Sequence, residues 1–247
     1  MELTEFFSQN PRMALGFSGG ADSSYLLYAA VKYGVQVQPF FVKTQFQTET
    51  ELERAQKFAC DMGCSLKVIE LDVLHRQNIA RNPPDRCYHC KKLLFGEIKY
   101  AAENDGYMVI SDGTNASDDI SDRPGAKALA ELGILSPLRI CGITKDDIRR
   151  ELRSANLSVW SEPANACLAT RIPIGKQITE HDLYRVTCSE NALKEMGFFD
   201  LRVRCMGNTA RMELKGSQIE KAAALRKNIL CALNPYFDSV FLDLKER

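Results

Sequence analysis

A short apolar run, Met13-Ala14-Leu15-Gly16, stops in Phe17-Ser18-Gly19-Gly20 and gives way to an amphipathic helical pattern from Asp22 to about Tyr33. That junction constrains the fold more than any other feature of the chain. An apolar run this short, ended by a glycine turn and followed by a helix, reads as a buried strand feeding an α/β unit. Two adjacent glycines let the backbone turn tightly and let an anion approach it closely. The N–H groups of the turn and of the first helical turn would then face that anion, and the helix dipole favours negative charge there. Ser18, Ser23 and Ser24 add hydroxyl groups, and Asp22 supplies a carboxylate able to hold a magnesium ion. No Gly-Lys-Ser/Thr is present, so the turn is not a Walker-type phosphate loop. The competing reading is an ordinary strand–turn–helix with a glycine turn.

The alternation continues along the first half of the chain. Candidate strands fall at residues 11–17, 35–42, 65–71 and 107–112, with helical patterns near 21–33, 48–63, 88–104 and 124–133. Such alternation predicts an α/β fold, a parallel sheet covered on both faces, whose ligands sit beyond the carboxyl ends of the strands. Both the Ser18-Gly19-Gly20 turn and Ser111-Asp112-Gly113-Thr114-Asn115 lie in that location. Gly113 and Thr114 can line a nucleotide or metal site, or form a surface turn and helix cap. A helix over about 144–155 has Thr144 as its N-cap. Residues 158–178, with Pro163, Pro173 and Gly175, read as an ordered loop able to carry function. After it the order becomes helix (179–196), strand (199–205), strand (208–214), helix (216–231) and strand (237–243). The pattern predicts a larger domain over 1–175 and a smaller α+β domain over 176–247.

Equal numbers of basic and acidic side chains, 32 each in 247 residues, leave no net charge. That speaks against a protein that wraps nucleic acid. No apolar run approaches the roughly 18–20 residues needed to span a bilayer. The acidic start, Met1-Glu2-Leu3-Thr4-Glu5, lacks a signal-peptide core, and the sequence reads as cytosolic. Nine cysteines, an odd count in that setting, disfavour a disulfide framework. Cys60, Cys64, Cys141, Cys188, Cys205 and Cys231 sit in apolar or helical surroundings and read as small core residues or bystanders.

Four constellations carry chemistry. In Asp85-Arg86-Cys87-Tyr88-His89-Cys90-Lys91-Lys92, two cysteines at i and i+3 enter a helix and can point thiolates at one metal centre. A single Cys-x-x-Cys is only half a site: it can be a redox pair, half of a zinc site or part of an iron–sulfur site, and the competing reading is a chance spacing in a cysteine-rich chain. In Pro163-Ala164-Asn165-Ala166-Cys167-Leu168-Ala169-Thr170-Arg171, a loop cysteine has a guanidinium four residues on and is a candidate nucleophile or ligand. In Leu201-Arg202-Val203-Arg204-Cys205, strand alternation puts Arg202 and Arg204 on one face, where Arg211 of the returning strand can join them. Guanidiniums so placed suit phosphate or carboxylate, and the plain alternative is a solvated sheet face. Asp118, Asp119 and Asp122 can bind magnesium or mark an acidic helix entry ahead of Arg123-Pro124-Gly125.

The Ser-Gly-Gly turn resembles the pyrophosphate loop (PP-loop) of the N-type ATP pyrophosphatases, which implies ATP as ligand, magnesium, and adenylation with release of pyrophosphate. Taken together the segments resemble the LarE family of ATP-dependent sulfur transferases that build a nickel-pincer nucleotide. The matching segments are Ser18–Ser24, Arg86–Lys92, Asp112–Asp119, Arg123–Gly125, Gly133–Leu138, Ala166–Arg171, Arg202–Arg204 and Leu242–Leu244. They cover nearly the whole chain, and the Ala-Cys-Leu-Ala-Thr-Arg loop discriminates best among them. The resemblance implies that a carboxylate of a pyridinium dicarboxylate mononucleotide is adenylated and converted to a thiocarboxylate. In one version Cys167 gives up its own sulfur and becomes dehydroalanine. In the other, three cysteines, here Cys87, Cys90 and Cys167, hold a 4Fe-4S cluster whose open iron carries the sulfide, and this version is the one expected. It further implies ATP binding by Ser18, Gly19, Gly20, Asp22, Ser23, Ser24, Gly113 and Thr114, magnesium on Asp22, and substrate binding by Arg202, Arg204, Thr170, Arg171 and Glu190. A homo-oligomer is also implied. Two departures stand out: Thr170 replaces a common serine, and Lys245-Glu246-Arg247 follows Leu244 where a Gly- and Arg-containing tail is usual. Competing functions are a tRNA thiolase of the same superfamily, an ATP-dependent amide ligase, and a non-catalytic nucleotide- or metal-binding regulator.

Overall fold

The computed structural model describes residues 1–119, 124–163 and 166–245. The chain runs α1 (Leu3–Gln9), β1 (Arg12–Gly16), α2 (Ala21–Lys32), β2 (Gln36–Lys43), α3 (Glu49–Asp61), β3 (Lys67–Glu70), α4 (Gln77–Ala80), α5 (Arg86–Asn104), β4 (Ile110–Ser111), α6 (Pro124–Leu132), α7 (Pro137–Ile140) and α8 (Lys145–Ser154). It continues with α9 (Glu180–Glu195), β5 (Arg202–Met206), β6 (Thr209–Glu213), α10 (Ile219–Ala224), α11 (Arg226–Leu233) and β7 (Ser239–Leu242). Two compact units result: Met1–Val73 with Asp85–Asn165, and Leu74–Pro84 with Ala166–Arg247.

The first unit is the expected α/β architecture. Its strands pair in parallel in the order β3-β2-β1-β4. Strand alternation divides the core between the two faces of the sheet. Met13, Leu15 and Phe41 pack with α1, α2, α3 and α8 residues such as Phe6, Leu27, Ala55 and Leu152. Ala14, Phe40, Val42 and Ile110 pack on the opposite side with Ile98, Ala102 and Leu129 of α5 and α6. Helices on both faces force the strand connections to cross over and leave the strand ends open for a site. Helix α1 was not in the sequence pattern of elements, although Leu3, Phe6 and Phe7, all buried, have helical spacing.

The second unit holds an antiparallel β5–β6 hairpin with β7 parallel to β6. Val203, Cys205, Ala210 and Met212 face its core. The helix anticipated over 216–231 is a 3-10 turn followed by two helices that break at Leu225, where no glycine or proline marks the break. Residues 74–84 belong to this unit because Asn82 ties them to the loop that follows Cys167. Its amide donates to the carbonyls of Ile172 (3.2 Å) and Pro173 (2.8 Å), and its carbonyl accepts from Gly175 N (2.8 Å). The division between the units therefore falls at 165/166, against an expected boundary near 175, and includes a sequence-distant segment. Among the described residues no helix is long and apolar enough to cross a membrane.

Candidate active site

In the first unit, β1 runs into the Ser-Gly-Gly turn at the carboxyl edge of the sheet. Gly19 has φ +71°, and a Cβ there would lie 3.1 Å from Ala55 Cβ of α3. Both the left-handed backbone and the close approach of α3 therefore require glycine. Gly20 is the N-cap of α2 and offers no side chain, whereas Thr48, Thr144 and Thr179 cap α3, α8 and α9. The first-turn N–H groups of α2 thus lack a side-chain acceptor, the condition under which a helix N-terminus takes an anion.

The turn opens on a cavity of about 180 Å³ lined by Ser18, Gly19, Gly20, Asp22, Lys145 and the Arg54–Glu162 pair, among others. Lys145 Nζ lies 2.6 Å from Asp22 Oδ1, and Arg54 Nη1 lies 2.8 Å from Glu162 Oε2. Each cation in the cleft is matched by a carboxylate, so an incoming polyanion would exchange partners with existing pairs. Sequence reading missed Lys145 and Arg54 because α8 and α3 bring them from remote positions. The Thr144 cap was the one local signal near Lys145.

Not every residue assigned to this cleft lines it. Ser23 and Ser24 are buried beneath the turn. Ser23 Oγ lies 3.1 Å from Ser18 Oγ and donates to Gly20 O (3.2 Å), so it braces the turn from inside. Ser24 Oγ is buried without a hydrogen-bond partner. Gly113 packs against the start of α2, where an added Cβ would lie 2.8 Å from Ser23 N and 3.1 Å from Ser23 Cα. Gly113→Ala is therefore expected to displace the turn and to cost about 1–3 kcal/mol through overpacking against backbone, a loss that thermal unfolding measures. Thr114 donates N–H and hydroxyl hydrogens to the buried Asp112 carboxylate, which also accepts from Ser136 Oγ (2.6 Å). Asp118 Oδ2 accepts from Asn115 N (3.1 Å) within the following turn. Asp122 and Arg123 of the same constellation lie outside the described residues.

Helix α5 begins at Arg86, so Cys87 and Cys90 both fall in its first turns, on neighbouring positions of one face. Cys87 is exposed and Cys90 half-buried. The buried Arg86 places Nη2 3.9 Å from Cys87 Sγ. Beside them Tyr88, Lys92 and Glu131 form a hydrogen-bonded triad with distances of 2.7–2.9 Å. Hydrogen bonding to Glu131 holds the Lys92 ammonium above its usual range, and Lys92 holds Glu131 below the usual carboxylate range. This triad is a solvent-facing network on α5 and α6.

In the second unit, Cys167 is the N-cap of a single 3-10 turn, Leu168–Arg171. Its carbonyl accepts from Thr170 N (2.9 Å) and Thr170 Oγ1 (2.8 Å). Arg171 and Glu190 form a buried bidentate pair, Nε–Oε1 2.8 Å and Nη2–Oε2 3.1 Å, and Glu190 Oε1 also accepts from Val203 N (3.0 Å). Arg204 donates to Thr170 O and forks onto Glu213, both contacts to the carboxylate at 2.9 Å. Arg211 joins that face, as the alternation predicted; it sits opposite Arg204 and donates to the same carboxylate (3.0 Å). Burial pushes Glu213 up, but Arg204 and Arg211 outweigh it and hold the carboxyl below its usual range. Arg202 differs from its neighbours. Its Nε is buried without a hydrogen-bond partner, and burial, with Arg171 and Arg204 nearby, lowers the tendency of its guanidinium to carry charge. An anion at Arg202 would relieve both conditions.

The other cysteines divide. Burial pushes the Cys205 thiol up to about 11, with Asp182 adding to the effect, and burial also raises Cys64 and Cys141. Of the two readings open for them, Cys60 and Cys231 take the bystander one: they are exposed on α3 and α11. Among the described residues no group of three His, Cys, Asp or Glu side chains is placed to hold a metal ion. Cys87 and Cys90 belong to the first unit and Cys167 to the second.

No protein-family model matches the chain. It is 35% identical over 222 residues to an uncharacterised protein of Synechocystis, covering 89% of this chain and 82% of that one. It is 30% identical over 210 residues to the pyridinium-3,5-bisthiocarboxylic acid mononucleotide synthase of Lactiplantibacillus plantarum, covering 84% of this chain and 76% of the synthase. A more distant relative is the tRNA-specific 2-thiouridylase MnmA of Thermotoga maritima, 23% identical over 190 residues, 60% of this chain and 53% of that enzyme.

Proposed function

The chain belongs to the LarE family of pyridinium-3,5-bisthiocarboxylic acid mononucleotide synthases, and we propose that it is an ATP-dependent sulfur transferase acting on a carboxylate of a pyridinium dicarboxylate mononucleotide, in nickel-pincer cofactor synthesis. The observation that carries the ATP half is the cleft at α2: a helix N-terminus with no side-chain cap, in a left-handed glycine turn, with Lys145 and Arg54 on its walls. A substrate carboxylate oxygen attacks the α-phosphorus of ATP, the bond to the β-phosphate oxygen breaks, and pyrophosphate leaves from the α2 N-terminus. Asp22 is the one carboxylate of the turn, and one carboxylate plus phosphate oxygens is a usual magnesium environment. Bound magnesium would neutralise the charge on the departing pyrophosphate. Lys145, released from Asp22, would then hold phosphate oxygens. Arg202 and Arg204 are the residues proposed for the substrate's own phosphate or carboxylate, with Thr170 beside them.

The sulfur half rests on Cys87, Cys90 and Cys167. Three thiolates match the ligand count of a 4Fe-4S cluster with one open iron, the source of sulfide we propose. Because the described residues gather no three such ligands, this assignment rests on the ligand count and the family resemblance. The tight hydrogen bonding of the Cys167 loop favours a second reading, in which Cys167 is the sulfur donor itself. Its Sγ would attack the acyl-adenylate and release AMP; loss of the Cys167 Cα proton and cleavage of Cβ–Sγ would then leave a thiocarboxylate and dehydroalanine.

Iron and acid-labile sulfide per subunit, measured in protein purified without oxygen, tests the choice. About four of each, lost in Cys87→Ser, is the result expected for the cluster. Absence of iron, with the Cys167 peptide lighter by the mass of one hydrogen sulfide after reaction, would replace it with the sacrificial route. Failure of ATP and the dicarboxylate mononucleotide to release pyrophosphate would sink both. A tRNA gel shift that weakens steeply with salt would point instead to a thiolase acting on RNA.

A further inference from the structure

The family resemblance assigns Arg171 and Glu190 to the substrate. We infer that they act otherwise, as a clamp that sets the position of Cys167. The inference deepens the sulfur-transfer reading and rests on Cys167 being its sulfur-handling residue.

Arg171 has five N–H donors, and its hydrogen bonds are already extensive. Nε and Nη2 fork onto Glu190 at 2.8 and 3.1 Å, while Nη1 donates to Ala166 O at 2.8 Å and Thr170 Oγ1 at 3.2 Å. The side chains of Arg171 and Glu190 are only 8% and 6% exposed. Glu190 is equally committed, with Oε1 shared between Arg171 Nε and Val203 N and Oε2 on Arg171 Nη2. An anionic substrate would have to break a buried bidentate pair to reach this guanidinium, whereas Arg202 beside it has a buried Nε with no partner at all.

What Arg171 does hold is the loop on either side of Cys167. Ala166 O precedes the cysteine, and Thr170 closes the turn after it by donating its hydroxyl to Cys167 O. Arg204 fixes the same turn through Thr170 O. Glu190, on α9, fastens the guanidinium to the start of β5 through Val203 N. The cysteine's backbone is thereby tied to a helix and a strand, the rigid support that a reacting group needs. Arg171 and Glu190 are positioning residues.

The test follows alkylation of Cys167 by iodoacetamide, read by peptide mass spectrometry on the intact chain without ATP or substrate. Replacing the pair with apolar residues of similar volume, Arg171→Met with Glu190→Met, should accelerate Cys167 modification on the order of tenfold as local opening becomes easier. Cys231, exposed on α11 of the same unit, serves as the control and should react at its wild-type rate. The inorganic phosphate bound beyond what the α2 turn takes should survive in this variant and be lost in Arg202→Met. Should the double variant fail to fold, Glu190→Gln keeps the volume, one bond to Arg171 and the acceptor for Val203 N. It is expected to give a smaller acceleration in the same direction. Unchanged Cys167 reactivity in a folded variant, or loss of phosphate binding with that reactivity unchanged, overturns the clamp. Pyrophosphate release by the same preparations reports separately on the ATP reading.

Discussion

Cys167→Ser is expected to lower thiocarboxylate formation by at least about 10³-fold, the scale of losing a reacting group, while leaving pyrophosphate release on substrate addition in place. The two halves separate because the cleft proposed for ATP lies in the first unit, between α2, α3 and α8, and none of the described residues that line it is a cysteine. Serine also preserves the loop. The hydrogen bonds from Thr170 and Arg171 that brace the turn end on the backbone carbonyls of Cys167 and Ala166, which serine keeps. The melting temperature should therefore stay near that of the parent protein, and pyrophosphate assayed beside thiocarboxylate should show adenylation without transfer. A Cys167→Ser protein that still forms thiocarboxylate would remove this residue from the chemistry. Equal losses in Cys87→Ser and Cys90→Ser would argue that the three thiols act together; wild-type single-turnover yields in those two variants would leave Cys167 acting alone.

The sequence carried the parallel sheet because its signals are local. Met13–Gly16 is short, apolar and ended by glycine, and the following strands and helices repeat that grammar, so most elements lie within one or two residues of their expected bounds. The Ser-Gly-Gly turn was legible for the same reason: Gly19 needs its positive φ whatever the rest of the chain does. Pairings made across the fold were less accessible. Lys145 meets Asp22, and Arg54 meets Glu162, only after α8 and α3 have docked. Strand alternation put Arg211 on the face of Arg202 and Arg204, and by the same period Glu213 with it, but the register that sets Arg211 opposite Arg204 and lets Glu213 take both guanidiniums came only with the fold. Ser23 and Ser24 were read as hydroxyls facing a ligand because they are polar and follow the turn. On a helix packed over a sheet, however, positions three and four residues past the N-cap can point inward, and these do.

Breaking the Arg171–Glu190 pair by one residue is expected to have the largest effect on stability of any single polar substitution in the second unit. Both charges are removed from water, and each satisfies the other. Among the described residues, Arg171→Met leaves the buried Glu190 carboxylate with Val203 N as its one remaining donor, and Glu190→Met leaves a buried guanidinium without this counter-ion. Either change should cost about 3–5 kcal/mol, because the orphaned charge retains its desolvation penalty after the attraction is gone. The double replacement should lose far less, since apolar residues of similar volume often substitute for a buried ion pair at little cost. Denaturant unfolding of the two single variants and the double variant forms a cycle that measures the coupling directly. A strongly non-additive result, with the double variant more stable than either single one, is expected. Additive losses would mean that the two side chains contribute separately. Stability and Cys167 reactivity should then part company: the double variant regains the fold but not the fixed loop, which is the behaviour of a buried ion pair kept for placement more than for stability.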